Sequence, residues 1–227
     1  KLCSFDCVYC ECGWNAEGRS DNKIPTVEQV REALRSKLVE CHRDNIPVDS
    51  ITFSGNGEPT LHPDFPEIID YTIALRDELF PEAVISVLSN ATMLGKPGVK
   101  EALSKVDNPI LKLDGVDEDY VRLIDRPQNP NYSIDEVFSH LEWFKGDFIL
   151  QTMFLRGVVN GVEVDSMRKD LLEGWQKMVI ALRPREVMLY TLDRQPPLST
   201  LEKVSVEEME RAAQPLKKAG IKVRISG

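Results

Sequence analysis

The sequence predicts an α/β fold built on a parallel sheet, and three observations carry that prediction. Short apolar runs alternate with segments of helical periodicity along most of the chain, the pattern of strand–helix–strand crossovers. Ser/Thr-x-x-Glu/Gln signatures at Thr26, Ser133 and Ser205 mark helix starts within that alternation. The 227 residues suffice for one large core, so a single domain over 1–227 is expected.

Taken in order, a Gly- and Asn-containing loop over 10–25 leads to a helix opening at Thr26, with Gln29 completing its capping box. Val27, Val30, Leu34, Leu38 and Cys41 recur there at helical spacing, which places Cys41 in the core. A strand over 49–54, a helix over 64–78, a strand over 83–88 and a helix over 97–104 follow. Next come a strand over 110–113 and helices over 118–124 and 134–144, the second capped by Ser133 and Glu136. A strand over 148–155, a helix over 166–182, a strand over 186–191, a helix after Ser205 and a strand over 221–225 complete the chain.

Composition narrows the function classes. No run of about 18 apolar residues is present and no signal-peptide pattern opens the chain, so no membrane association is expected. A formal net charge of −9 disfavours a broad phosphate-backbone footprint and thus nucleic acid as the partner. Four of the five cysteines fall in the first dozen residues, unlike an extracellular disulfide scaffold, which points to a reducing, cytoplasmic setting. His42, His62 and His140 lack metal-ligand spacing.

The chemistry is concentrated in Cys3-Ser-Phe-Asp-Cys7-Val-Tyr9-Cys10. Three thiols at C-x3-C-x2-C spacing suit three corners of one iron–sulfur cube and leave one iron without a protein ligand. A structural zinc site with Cys3, Cys7, Cys10 and Cys12 is the competing use of the same thiols, although zinc ligands commonly fall into two separated pairs. Cys12 is otherwise a spare thiol beside the cluster.

C-x3-C-x2-C with an aromatic residue, Tyr9, before the third cysteine resembles the radical S-adenosylmethionine (SAM) superfamily. That resemblance implies a [4Fe-4S] cluster on Cys3, Cys7 and Cys10, SAM bound at the open iron, and reductive cleavage to a 5'-deoxyadenosyl radical that abstracts hydrogen from substrate. It also implies an enzyme of oxidoreductase or transferase type, supplied by an electron donor such as a flavodoxin or ferredoxin. The implied fold is a partial (β/α)6 barrel with the final strand as an extension. In this family a strand precedes the cysteine loop; here the chain opens two residues before Cys3, so an unpaired sheet edge is expected beside that loop.

In parallel barrels ligands gather at the carboxyl ends of strands, so the residues just past each strand are the candidates. Gly55-Asn56-Gly57-Glu58-Pro59 resembles the family's Gly-Gly-Glu-Pro motif, with Asn56 in place of the first glycine of the pair. The resemblance makes Gly55, Gly57 and Glu58 contacts of the SAM amine, and Ser89 and Asn90 neighbours of its carboxylate or ribose. A dinucleotide-binding reading of Gly55-x-Gly57 fails for want of a third glycine and an immediate helix. Alternation puts Lys112 and Asp114 together on one face of their strand, and family position sets them near the SAM sugar or carboxylate. Gln151, with Met153 and Arg156, is expected on the substrate side, and Tyr190 or Asp193 is expected to close it.

The stretches KLDGVDEDYVRLIDRP and LQTMFLRG resemble the radical SAM branch related to the tRNA wyosine synthases. Three substrate classes follow: tRNA, which the acidic balance opposes; a peptide or protein, including glycyl-radical activation; and a small molecule. No cysteine lies after Cys41, so an auxiliary cluster is not expected. The reading from another class is a non-catalytic zinc or iron–sulfur module that docks a partner protein.

Overall fold

The computed structural model describes residues 1–15 and 24–227; the part of the expected 10–25 loop that spans 16–23 lies outside them. Strands β1 (Ser50–Phe53), β2 (Val84–Ser89), β3 (Asn108–Lys112), β4 (Ile149–Met153), β7 (Glu186–Tyr190) and β9 (Lys222–Ser226) form one sheet in that order, every pair parallel. Helices α1 (Val27–Arg43), α2 (Phe65–Leu79), α3 (Val99–Leu103), α4 (Glu118–Ile124), α5 (Ile134–Glu142), α6 (Lys169–Leu182) and α7 (Val206–Lys218) occupy the connections. The central strands read VISVLS and NPILK because parallel strands are covered on both faces and carry little alternation. The sheet is open, with β1 at one edge and β9 at the other. Among the described residues β1 is the edge strand beside the cysteine loop, where Leu2 makes a single parallel bridge to Gly57.

Local chemistry explains where the helices begin. Thr26 and Gln29 form a reciprocal capping box at α1, and Ser205 and Glu208 form another at α7. The expected box at Ser133 does not form. The first amide of α5, on Ile134, instead donates to the Glu118 carboxylate of α4 at 3.3 Å. Ser166 does not open α6 either: its hydroxyl hydrogen-bonds both the amide and the carbonyl of Leu155, and the helix starts at Lys169.

The expected strand over 148–155 divides at Phe154. The chain leaves the main sheet there and enters a small antiparallel sheet in which β5 (Leu155–Val159) lies between β6 (Val162–Asp165) and β8 (Leu201–Lys203). Sequence reasoning missed this sheet. Its signal was the Asn160-Gly161 pair between two apolar runs: both residues have positive φ, as a two-residue hairpin turn requires.

Trp175 of α6 is buried edge-on to Phe154, ring centroids 5.0 Å apart. Its indole N–H donates to the Thr152 hydroxyl at 3.2 Å, which donates to the Leu113 carbonyl at 2.7 Å. This chain of bonds fixes the carboxyl ends of β3 and β4, where the candidate residues lie.

Gly57, at φ 149°, sets the approach of the N-terminal segment: a Cβ there would stand 1.9 Å from the Leu2 carbonyl oxygen. Gly57→Ala is expected to lower stability by about 1–3 kcal/mol, read as a reduced urea midpoint with an unchanged slope.

Candidate functional site

The carboxyl ends of β1, β2, β3, β4 and β7 converge with the cysteine loop on one cavity of about 320 Å³. Its wall carries Cys3, Cys7, Tyr9 and Cys10 from the loop and Gly55, Gly57 and Glu58 from beyond β1. Ser89, Asn90, Lys112, Asp114 and Gln151 complete it, so the residues expected to hold the cluster and SAM all face this one space. Met153 and Tyr190 line it too. Arg156 does not: it is drawn into ion pairs with Glu208 at 2.8 Å and Asp165 at 3.6 Å, and Asp193 also lies outside the lining. A larger cavity of about 450 Å³, which shares Ser54, Gly55, Gly57 and Glu58 with it, has a mainly apolar wall, including Leu2, Val30, Phe53 and Phe65, and no thiol among its lining residues.

The cysteine loop has no regular secondary structure, so its shape comes from specific bonds. Asn15 accepts from the Cys3 amide at 3.0 Å and donates to the Cys3 carbonyl at 2.9 Å. The Asp6 and Val8 amides donate to the carbonyls of Asp125 and Ile124, which tie the loop to the end of α4. Phe5 and Val8 are buried as anchors. Cys7 is buried, Cys3 and Cys10 are half-buried, and Cys12 is exposed, its sulfur 3.6 Å from the Gly55 carbonyl. Among the described residues no three His, Cys, Asp or Glu side chains are grouped as ligands of a single metal ion. A mononuclear site needs all its sulfurs within about 2.3 Å of one point, whereas a cube takes each thiolate on a separate iron. The donor set fits a cube: three thiols on one cavity wall, with the Lys112 ammonium 3.2 Å from the Cys7 sulfur and the Asn90 amide 3.6 Å from that of Cys3.

Lys112 is the centre of the site's electrostatics. Its side chain is 12% exposed and its ammonium pairs with Asp125 and, at 3.2 Å, with Asp114. Burial alone would pull the Lys112 ammonium down, yet the two carboxylates hold it well above the ordinary lysine value. The Tyr9 hydroxyl donates to Asp114 and lies 3.3 Å from Asp125, so Tyr9 serves the network as well as the cavity wall. Burial pushes the Asp114 carboxyl up to about 7, with Lys112 opposing and Asp125 adding to the rise. Burial likewise pushes the Cys7 thiol up, against the pull of Lys112. Asp125 was missed by sequence reasoning. It sits after a helix rather than a strand, and only its place in VRLIDRP, next to the cysteine loop in space, marks it.

Glu58 is buried with both carboxylate oxygens engaged. Oε1 accepts from the Thr60 amide and hydroxyl at 3.0 and 2.6 Å, capping the short 3-10 turn Pro59–Leu61, and Oε2 accepts from the Asn90 amide at 2.7 Å. Burial raises its pKa while these donors oppose the rise. Asn90 in turn donates to Ser4 at 2.8 Å, linking the β2 end to the cysteine loop. Beside it Ala91 takes φ 65°, a left-handed conformation unusual for alanine, braced by the Ser89 hydroxyl. Gly55 and Gly57 take the positive φ values of their loop and Asn56 does not; a Cβ at Gly55 would meet nothing within 4 Å. Gln151 makes no side-chain hydrogen bond among the described residues, which leaves its amide for a ligand.

The Asp114 carboxyl keeps its proton up to about pH 7 only in the folded chain, against about 4 when unfolded. Its contribution to stability therefore falls as pH rises from about 4 to 7 and is level above that. Asp114→Asn is expected to remove this slope, measured as the pH dependence of the urea midpoint of cluster-free protein.

Comparison with known proteins agrees with this geometry. A profile of the Radical SAM superfamily matches residues 1–173. A UPF0026 protein of Synechocystis sp. is 31% identical over 204 residues, 87% of this chain and 69% of that protein. A protein of Brachyspira hyodysenteriae named GTPase Obg is 29% identical over 216 residues, 93% of this chain but 29% of that protein. Among solved structures, Streptococcus suis SuiB bound to precursor peptide SuiA superposes with TM-score 0.71 at 14% identity, covering 100% of this chain and 47% of that one. A radical SAM methyltransferase from Sphaerobacter thermophilus gives 0.69 at 18%, covering 99% and 63%. TYW1 with a lysine-pyruvate adduct bound gives 0.61 at 16%, covering 96% and 70%. At these identities the solved structures speak for the fold alone. With the sequence profile spanning the cysteine loop and strands β1 to β4 that border the cavity, the chain belongs to the Radical SAM superfamily.

Proposed function

We propose that this protein cleaves SAM reductively at a [4Fe-4S] cluster held by Cys3, Cys7 and Cys10 and uses the resulting radical to take hydrogen from a substrate. The observation that carries the reading is the single cavity that joins these thiols to Gly55, Gly57, Glu58, Ser89, Asn90, Lys112, Asp114 and Gln151. When bound, the cluster and SAM supply a 5'-deoxyadenosyl radical; the chain supplies binding, orientation and exclusion of water. In this reading Gly55, with open space at its Cα, lets a ligand approach the backbone closely. Glu58, both oxygens already engaged, positions the loop and Asn90 and offers a remaining lone pair of Oε2 to the SAM amine. Asp114 and the uncommitted amide of Gln151 face the sugar and carboxylate side, and Met153 and Tyr190 face the substrate.

Two properties of similar proteins are not carried over. This chain lacks a G-x-x-x-x-G-K-[ST] phosphate loop, so the GTPase name is no guide to it. The TYW1 structure holds a lysine-pyruvate adduct, whereas Lys112 is clamped as a cation by two carboxylates and serves here in binding rather than as a nucleophile. The chain spans 69% of its Synechocystis relative and 29% of its Brachyspira one, so the substrate of the whole protein belongs to this proposal. A peptide, a protein or a small molecule agrees better than tRNA with a net charge of −9. A cytoplasmic one-electron donor of the flavodoxin or ferredoxin class completes the reading; among the described residues no helix is long and apolar enough to cross a membrane.

The test is anaerobic reconstitution with iron and sulfide, reduction by dithionite and addition of SAM. Mass spectrometry is expected to detect 5'-deoxyadenosine and methionine in equal amounts, and Cys7→Ala to reduce both at least 100-fold. Zinc without labile sulfide in the purified protein would instead favour a structural, partner-docking module.

A further inference from the structure

The Lys112 ammonium donates hydrogen bonds to Asp125 and, at 3.2 Å, to the Cys7 sulfur, and forms an ion pair with Asp114 at 3.2 Å. The rings of Phe5 and Tyr9, with centroids 4.8 and 5.1 Å from the ammonium, close the remaining sides. Ion pairing with the two aspartates would suffice for a lysine whose task was only to neutralise them; here one of its hydrogen bonds goes to the most buried thiol of the loop. Cys3 receives a neutral amide donor, from Asn90 at the longer distance of 3.6 Å. The three thiols are therefore not equivalent.

We propose, resting on the cluster assignment above, that Lys112 is a positioning residue whose N–H···S hydrogen bond to Cys7 raises the reduction potential of the cluster. A donor to a ligating sulfur draws negative charge off the thiolate, so the electron delivered by a low-potential one-electron reductant is accommodated more readily. Asp125 and Asp114 hold the ammonium in place. Asp125 also accepts, through its backbone carbonyl, the amide of Asp6, so the lysine's anchor and the loop bearing its target are one structural unit.

The experiment compares wild type, Lys112→Met and the charge-balanced double variant Lys112→Met/Asp125→Asn, each reconstituted anaerobically. Each is titrated with dithionite and redox mediators in the absence of SAM and substrate, and the reduced cluster is read by electron paramagnetic resonance. Both variants are expected to show a reduction equilibrium about tenfold less favourable than wild type, a midpoint about 59 mV lower for a one-electron couple. An iron–thiolate stretching band in the resonance Raman spectrum is expected to rise in frequency in both. A midpoint within twofold of wild type in both variants overturns the proposal. So does a shift in the single variant that vanishes in the double, because charge alone would then account for it. Should the variants fail to take up cluster, wild type labelled with 15Nζ-lysine decides: a nitrogen hyperfine coupling to the reduced cluster is expected, and its absence overturns the proposal. Wild-type protein that binds no iron and sulfide overturns the cluster assignment itself; a loaded protein with an unmoved potential overturns this inference alone.

Discussion

A lysine held between two buried aspartates is the contact on which the rest of the site depends. Lys112 comes from the end of β3, Asp125 from the turn after α4, and Cys7, Tyr9 and Phe5 from a loop with no ladder of its own. Removing the cation from such a cluster leaves uncompensated buried charge, which costs on the order of 3–5 kcal/mol. The same arrangement is a poor stabiliser, since apolar side chains of equal volume would fill the space at least as well. Its retention makes sense as positioning: the ammonium specifies where the cysteine loop sits over the sheet.

A second group of contacts does the equivalent work on the other side of the cavity. Glu58 ties its own loop to the β2 end through the Asn90 amide, and Asn90 reaches Ser4 and the Cys3 sulfur. The conspicuous residues of the two strand-end motifs are thus bonded to each other and to the thiol loop. Pre-organisation of this kind keeps the ordering cost out of ligand binding.

Much of the fold could be read from the chain because local signals and tertiary demands coincide. The capping boxes at Thr26 and Ser205 are made of atoms within four residues of one another, and they form. Ser133 carries the same signature, yet Glu118 from another helix supplies the acceptor, a competition that no local pattern can register. The small antiparallel sheet escaped notice because only Phe154 separates β4 from β5, so the two read as one strand; only the Asn160-Gly161 turn betrays the change of sheet. In the site, residues at strand ends were found because topology collects them there. Asp125 was not, because its part depends on where a helix terminus lies relative to a coil. Arg156, on a strand with the right polarity, turned out to be taken up by Glu208 and Asp165.

The missing Cβ of Gly57 bears on motion as well as packing. With the Leu2 carbonyl lying where that carbon would be, and backbone hydrogen bonds from Leu2 to Asn56 and from Glu58 to Leu2, the thiol loop and the strand-end loop are interlocked across a gap of atomic width. Sliding one past the other would break both hydrogen bonds. The spacing between the thiols and the backbone opposite is therefore set by main-chain contacts, which no side-chain rotation can relax.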